Sequence, residues 1–410
     1  MSETTTTGIP EGGQQADTAR WSAVYAMALC SFVLVASEFM PVSLLSPMAS
    51  SLTLTEGEAG QTIAASGLFA VIASLSIGRV TRAFQRQKVL VALSIMLIAS
   101  SVLTAIAPNY PLLMVGRAAV GIAIGGFWSM SAAIALRLVP AGDVAKALAV
   151  INGGNAAAMA LAAPLGSLLG GLIGWRGAFW SLVPLGIAAS LWLALALPRM
   201  HPESRAARRG LSHLMRHAPL SAGLASVALL FIGQFSLFTY LRPFLEQVTG
   251  VGVSLLSTLL LVLGVSGFFG TIAIGKCVER RLFSLLGLLP AVLAVVALAL
   301  ASFGAMLPVT VALLAIWGFI ATAAPVAWWT WLARTVPHDA EAGGGLMVAV
   351  IQIAITLGAT LGGISFDAVG PVTSFFVSAA ILALAAAAAF VLGRLPFLRI
   401  ALNDGCDARH

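Results

Sequence analysis

The chain has 410 residues, 60% of them hydrophobic and only 9% charged, with a mean hydropathy of +1.01. That balance excludes a soluble domain and describes a chain built to lie in a bilayer. The net charge of +7 comes from basic residues in short loops between apolar runs, a topology signal rather than a nucleic-acid surface.

Residues 1–20 are rich in Thr, Gly and Gln and carry Glu3, Glu11 and Asp17 before the first basic residue, Arg20. They read as a disordered cytoplasmic leader and not as a signal peptide, because the apolar run behind them is too long for a cleaved segment. That run, Trp21 to about Met48, is long enough to cross a hydrocarbon core of roughly 30 Å. It contains Glu38, with Pro41 three residues further on. A carboxylate inside a span is costly, so its default reading is ion or substrate handling.

Further apolar runs follow at 60–78, 88–107, 111–137, 146–171, 177–198, 219–243, 255–275, 284–303, 309–333, 343–365 and 371–393, which with the first make twelve spans. Turn signals separate several of them: Pro108-Asn109-Tyr110-Pro111, Pro140-Ala141-Gly142-Asp143, Pro337-His338-Asp339 and Gly370-Pro371. Glu38 is the only acidic residue well inside any span, and all five histidines fall in loops or the tail. Cys30, Cys277 and Cys406 are scattered, so neither a disulfide framework nor a metal site is expected.

With the N-terminus placed inside, nineteen of the 22 Lys and Arg residues fall on the inner side; Arg176 and Arg242 fall outside and Arg117 lies within span four. Both termini are therefore expected to be cytoplasmic. The sequence also repeats. Ile77-Gly78-Arg79 returns as Ile274-Gly275-Lys276, and Arg137-Leu-Val-Pro140 as Arg334-Thr-Val-Pro337, each 197 residues on. LGSLLGG at 165–171 returns as LGATLGG at 357–363. The expected organisation is a six-span half at 21–198, a basic cytoplasmic linker at 199–218, a second six-span half at 219–393 and a cytoplasmic tail at 394–410. Parallel halves with a site between them near the midplane are a transporter architecture.

These features resemble the major facilitator superfamily, in particular its drug/proton antiporter branch. GRVTRAFQRQK at 78–88 is similar to the family's loop between helices two and three, and VGRAAVGIAIGG at 115–126 to its fourth-helix motif of an Arg followed by spaced glycines. PLGSLLGGLIGWRGAF at 164–179 is similar to the fifth-helix antiporter motif. The resemblance implies an all-α, twelve-helix membrane protein in two pseudo-symmetric halves, with Gly78, Arg82, Arg86, Pro164 and Gly166 at gating positions. One departure stands out: Arg82 takes the place of the family's usual Asp, and Gln85 that of a Gly, so the latch that the Asp forms must be looser or built differently. SEFMPVSLLSPM (37–48), GGFWSMSAAIALRLVP (125–140), APLGSLLGGLIGWR (163–176) and FTYLRP (238–243) further resemble the branch members that export purine ribonucleosides.

A rise of ~1.5 Å per residue puts Glu38 roughly 12–15 Å and Arg117 roughly 9 Å from the outer surface. At that depth they can pair or share a proton through water, with desolvation favouring the neutral carboxyl and Arg117 the charged one. The alternative for Arg117 is structural, its guanidinium tying down main-chain carbonyls near Gly121 and Gly125. Asp367, at the outer end of span eleven, is the reserve candidate for the proton carrier but is expected to be simply solvated. For a substrate, the midplane offers amides at Asn152, Asn155, Gln234 and Gln352, and aromatic faces at Phe127, Trp128, Phe235, Phe238 and Trp328. Amides present donor and acceptor together, which suits a purine edge; Ser129, Ser131 and Thr239 could meet a ribose. Trp21, Trp175 and Trp331 read as interfacial-belt residues, and Trp329 as lipid-facing.

The expected function is export of purine ribonucleosides in exchange for protons across a bacterial inner membrane, by a monomer that needs no cofactor, metal or nucleic acid. The alternatives are export of another small molecule, such as a sugar or apolar drug, or passive facilitation. An intramembrane enzyme is disfavoured, since the spans carry no cluster of ligands or nucleophiles, and no nucleotide-binding motif points to ATP.

Overall fold

The computed structural model describes residues 19–140, 143–200, 218–336 and 340–394. The expectations for the leader up to residue 18, for the linker over 201–217, for Pro337–Asp339 and for the tail beyond 394 lie outside the described residues, as do the surroundings of Gly78 and the side chain of Arg82.

All long elements are helices, as a hydrocarbon environment demands, because a helix satisfies its own main-chain donors and acceptors. Span one is Trp21–Leu52, span two Glu56–Ala83, span three Arg86–Ile106 and span four Tyr110–Leu138. Spans five and six share the run Val144–Ala196, broken at Gly174 with φ 76° and ψ 163°. That left-handed φ needs glycine, so a single residue makes the turn that ends one span and begins the next. Span seven is Ala218–Phe238. Spans eight and nine share Val253–Phe303 with a break at Arg281, and spans ten to twelve are Leu307–Thr335, Ala340–Val369 and Thr373–Arg394.

Span seven departs from the expected 219–243. It stops at Phe238, and a short helix, Leu241–Phe244, and a π-turn, Leu245–Thr249, follow it. Pro243 is the cause: it has no N–H to return to Thr239 and is tolerated only in the first turn of a new helix.

Span one is buried along nearly its whole length. It packs on the helix of spans five and six, while span two packs on span four. The second half mirrors the first, and the mirror is atomic. A Cβ on Gly121 of span four would strike the Ser66 carbonyl of span two; a Cβ on Gly318 of span ten would strike the Leu263 carbonyl of span eight. Both members of the pair are shifted by 197 residues, the offset of the sequence repeat. One turn further, Gly125 lies against the Ala70 carbonyl, and Thr322 Oγ1 donates to the Gly267 carbonyl at 2.6 Å. Small residues here let helix backbones approach closely.

The described chain enters and leaves at one end of the bundle, the near end, where the Arg20 N–H bonds the Leu138 carbonyl at the close of span four. Toward the far end the two halves meet along antiparallel seams, span two on span eleven and span five on span eight. Gly57 N–H bonds Asp367 Oδ1 at 3.0 Å, Thr360 Oγ1 bonds Gln61 Oε1 at 3.1 Å, and Thr356 Oγ1 bonds the Ala64 carbonyl at 3.1 Å. On the other seam Ser257 Oγ bonds Ser167 Oγ at 2.9 Å, and Gly264 lies against the Ala160 carbonyl.

Candidate substrate and proton site

The site begins with what two prolines do to span one. Pro41 and Pro47 lack the N–H groups that would bond the carbonyls four residues earlier, those of Ser37 and Ser43. A buried carbonyl without a donor costs about 1–3 kcal/mol, and each of these finds an arginine. Arg117 Nη1 donates to the Ser37 carbonyl at 2.7 Å and Nη2 to the Glu38 carbonyl at 2.8 Å; its Nε donates to the Thr62 carbonyl at 3.0 Å. Arg242 Nη1 donates to the Ser43 carbonyl, and its Nε pairs with Glu246 at 2.8 Å. Both guanidinium groups are buried.

Arg117 therefore reaches Glu38 through the main chain and not through its carboxylate. Its bonds are of the kind the structural alternative describes: they tie main-chain carbonyls of spans one and two to span four.

The Glu38 carboxyl is buried, with 3% of the residue exposed. Its hydrogen-bond partner is in the other half: Gln352 Nε2 of span eleven donates to Oε1 at 3.3 Å. This bond lies directly below the Thr356–Ala64 rung of the seam, one turn along span eleven. Gln352, expected to meet substrate, thus also contacts the candidate proton carrier, and its Oε1 is buried with no protein partner. Next to Glu38, Phe39 packs on Phe235 with ring centroids 5.5 Å apart, and Phe235 packs on Phe231 and Phe238 at 6.4 and 5.8 Å. Span one thus touches the second half through a carboxyl–amide bond at Glu38 and through an aromatic contact at the next residue.

The remaining expected residues scatter around it. Gln234 Nε2 donates to the Ala321 carbonyl at 3.2 Å, holding span seven to span ten. Asn152 is exposed and bonds its own helix at the Leu148 carbonyl, and Asn155 is half-buried. Phe127 is buried edge-on to Trp128 at 5.5 Å. Trp328 is buried edge-on to Trp331 at 5.3 Å, and neither indole N–H has a protein partner. Gly166 allows close packing, since a Cβ there would strike Ser43 Oγ, and Pro164 is buried beside it. Arg86 stands in the first turn of span three.

Several interfacial expectations change. Trp331 is fully buried. Trp175 is buried as well, its indole N–H donating to Ser51 Oγ at 2.7 Å under the stacked Arg176 guanidinium. Trp329 is exposed as expected. Asp367 is exposed, as expected, and in addition bonds Thr55 Oγ1 and Gly57 N–H across the seam. Arg242 and Phe39 were not picked out from the sequence. The signal for an arginine partner was present in Pro47, whose missing N–H announces a free carbonyl four residues back.

Two six-helix halves, paired by a repeat and enclosing a buried carboxylate, define a membrane transport protein. The model of the Major Facilitator Superfamily matches residues 27–359, and the chain belongs to that family. It is 52% identical over 370 residues to a Pseudomonas aeruginosa protein named transcription regulatory protein OpdE, covering 89% of this chain and 92% of that one. It is 38% identical over 366 residues to the Salmonella typhimurium purine ribonucleoside efflux pump NepI, with coverage of 89% and 92%. Among solved structures, a bacterial homologue of the human lysosomal transporter Spinster, inward-facing and occupied, superposes with a TM-score of 0.76 at 17% identity, covering 92% of this chain and 98% of that one. A D-xylose–proton symporter superposes with a TM-score of 0.74 at 15% identity, covering 91% and 98%.

Proposed function

We propose that this protein exports purine ribonucleosides across the bacterial inner membrane in exchange for protons, with both termini cytoplasmic and the far end facing the periplasm. The observation that carries the reading is the Glu38–Gln352 bond, which joins a buried carboxyl of one half to an amide of the other. A proton arriving on Glu38 changes what Gln352 must offer, donor or acceptor, and so acts on the contact between halves. Alternating access needs such a link between an ion and the arrangement of the two halves. The neutral character of the surrounding groups favours an uncharged substrate, and the name of the 38%-identical relative supplies the nucleoside class.

The test is efflux of inosine and guanosine from proteoliposomes under an imposed pH gradient, wild type against Glu38→Gln. Gradient-driven efflux is expected from the wild type and a loss of at least tenfold in the variant. Equal efflux from both removes Glu38 from the mechanism, and no nucleoside flux from the wild type removes the substrate class.

The name of the 52%-identical relative favours a second reading, in which the protein alters transcription. Transcript levels in cells carrying Glu38→Gln separate the two. An effect that vanishes with transport is a consequence of export; an effect that survives is an independent regulatory role.

A further inference from the structure

Span two begins with a nearly complete cap. Thr55 is the N-cap, its side chain accepting from the Glu58 N–H at 3.0 Å, while the Glu58 carboxylate accepts from the Thr55 N–H at 2.9 Å. This reciprocal box serves two of the donors that a helix start leaves open. The Gly57 N–H is served by neither. It donates to Asp367 Oδ1 at 3.0 Å, and the Thr55 hydroxyl donates to Asp367 Oδ2 at 2.7 Å. Asp367 belongs to span eleven, in the other half.

We propose that Asp367 is a detachable cap that holds the far end closed, and so is a positioning residue for the transport cycle. A carboxylate at a helix N-terminus is favoured by the helix dipole and by charge-assisted bonds to the open N–H groups. Those bonds exist only while spans two and eleven touch, so their strength is spent on one conformation. The fit is close. A Cβ on Gly57 would strike the Asp367 carboxylate, and one on Gly60 would strike the hydroxyl of Tyr240, itself bonded to the Ala359 carbonyl of span eleven at 2.8 Å. Arg242 makes the second clip, reaching from the second half to the Ser43 carbonyl. Both clips work alike: a charged side chain of the second half ends on main-chain groups that the first half leaves open. Glu56 and Glu246 stand within electrostatic range of the same spot, with Arg242 the cation among them.

The proposal rests on alternating access and not on the nature of the substrate, so its test contains none. In a background with Cys30, Cys277 and Cys406 replaced, spin labels go on Ile106→Cys and Met306→Cys, exposed sites at the far ends of the two halves. The label-to-label distance distribution is then measured in proteoliposomes. Asp367→Asn is expected to raise the long-distance, far-end-open population about tenfold. Gly57→Ala, which leaves the carboxylate intact but blocks its approach, is expected to do the same, and Asp367→Ala takes the place of Asp367→Asn should the latter fail to fold. Distributions matching the wild type in the variants that fold overturn the proposal. So does a shift in Gly57→Ala without one in Asp367→Asn, since the carboxylate would then have no part in closure. Because no nucleoside enters the experiment, the export reading stands or falls separately.

Discussion

Pro41 removes the donor that the Ser37 carbonyl would otherwise find in its own helix, and Arg117 replaces it from span four. The pairing makes a testable claim about what Arg117 is for. Arg117→Met leaves the buried Ser37 carbonyl without a donor, at about 1–3 kcal/mol, and strips the Glu38 and Thr62 carbonyls of their second bond, so the apparent melting temperature in detergent is expected to fall by several degrees. Pro41→Ala restores an N–H for Ser37, so adding it to Arg117→Met is expected to recover part of the loss. A strictly additive double variant would show that Arg117 does not act through that carbonyl. Glu38 was legible in the sequence because a lone carboxylate in an apolar run is too costly to stand there without a task. The commitment of Arg117 to main chain was less so, because composition and depth show two charges near each other but not which atoms they use.

At the scale of the helix, the repeat offers paired experiments. Gly121→Ala and Gly318→Ala each push a methyl group into a carbonyl of the neighbouring span. Each is expected to cost about 1–3 kcal/mol, seen as earlier thermal unfolding, with similar size in the two halves. Gly153 in span five has nothing within 4 Å of a Cβ, so Gly153→Ala is the neutral comparison. A Gly318→Ala variant as stable as Gly153→Ala would contradict the packing equivalence. The spans themselves were legible from their length and apolar content, and the repeat from a shared offset. The end of span seven was not, because an apolar count runs straight through Thr239-Tyr240 and cannot register that Pro243 breaks the ladder of N–H donors. Nor could the capping of span two be read, since Asp367 is about 310 residues away in sequence from Thr55 and Gly57 and only the packing of the halves brings them together.

For the whole molecule, the proposed orientation, with most Lys and Arg inside, puts the near end in the cytoplasm. Cys277 is exposed toward that end, so in right-side-out cells a membrane-impermeant maleimide is expected to leave Cys277 unmodified while labelling Met306→Cys in a background without Cys30 and Cys406. Labelling of Cys277 in intact cells would invert the topology. The dependence of one half on the other also reaches into biosynthesis. The first six spans leave the ribosome with the Ser43 carbonyl and the Gly57 N–H lacking the partners they have in the finished protein, because Arg242 and Asp367 are still to be made. Water and lipid headgroups must serve these groups in the interval. The N-terminal half is therefore a substrate for quality control until its sister is inserted, and when the halves are produced as separate chains, the first should persist longer in the company of the second.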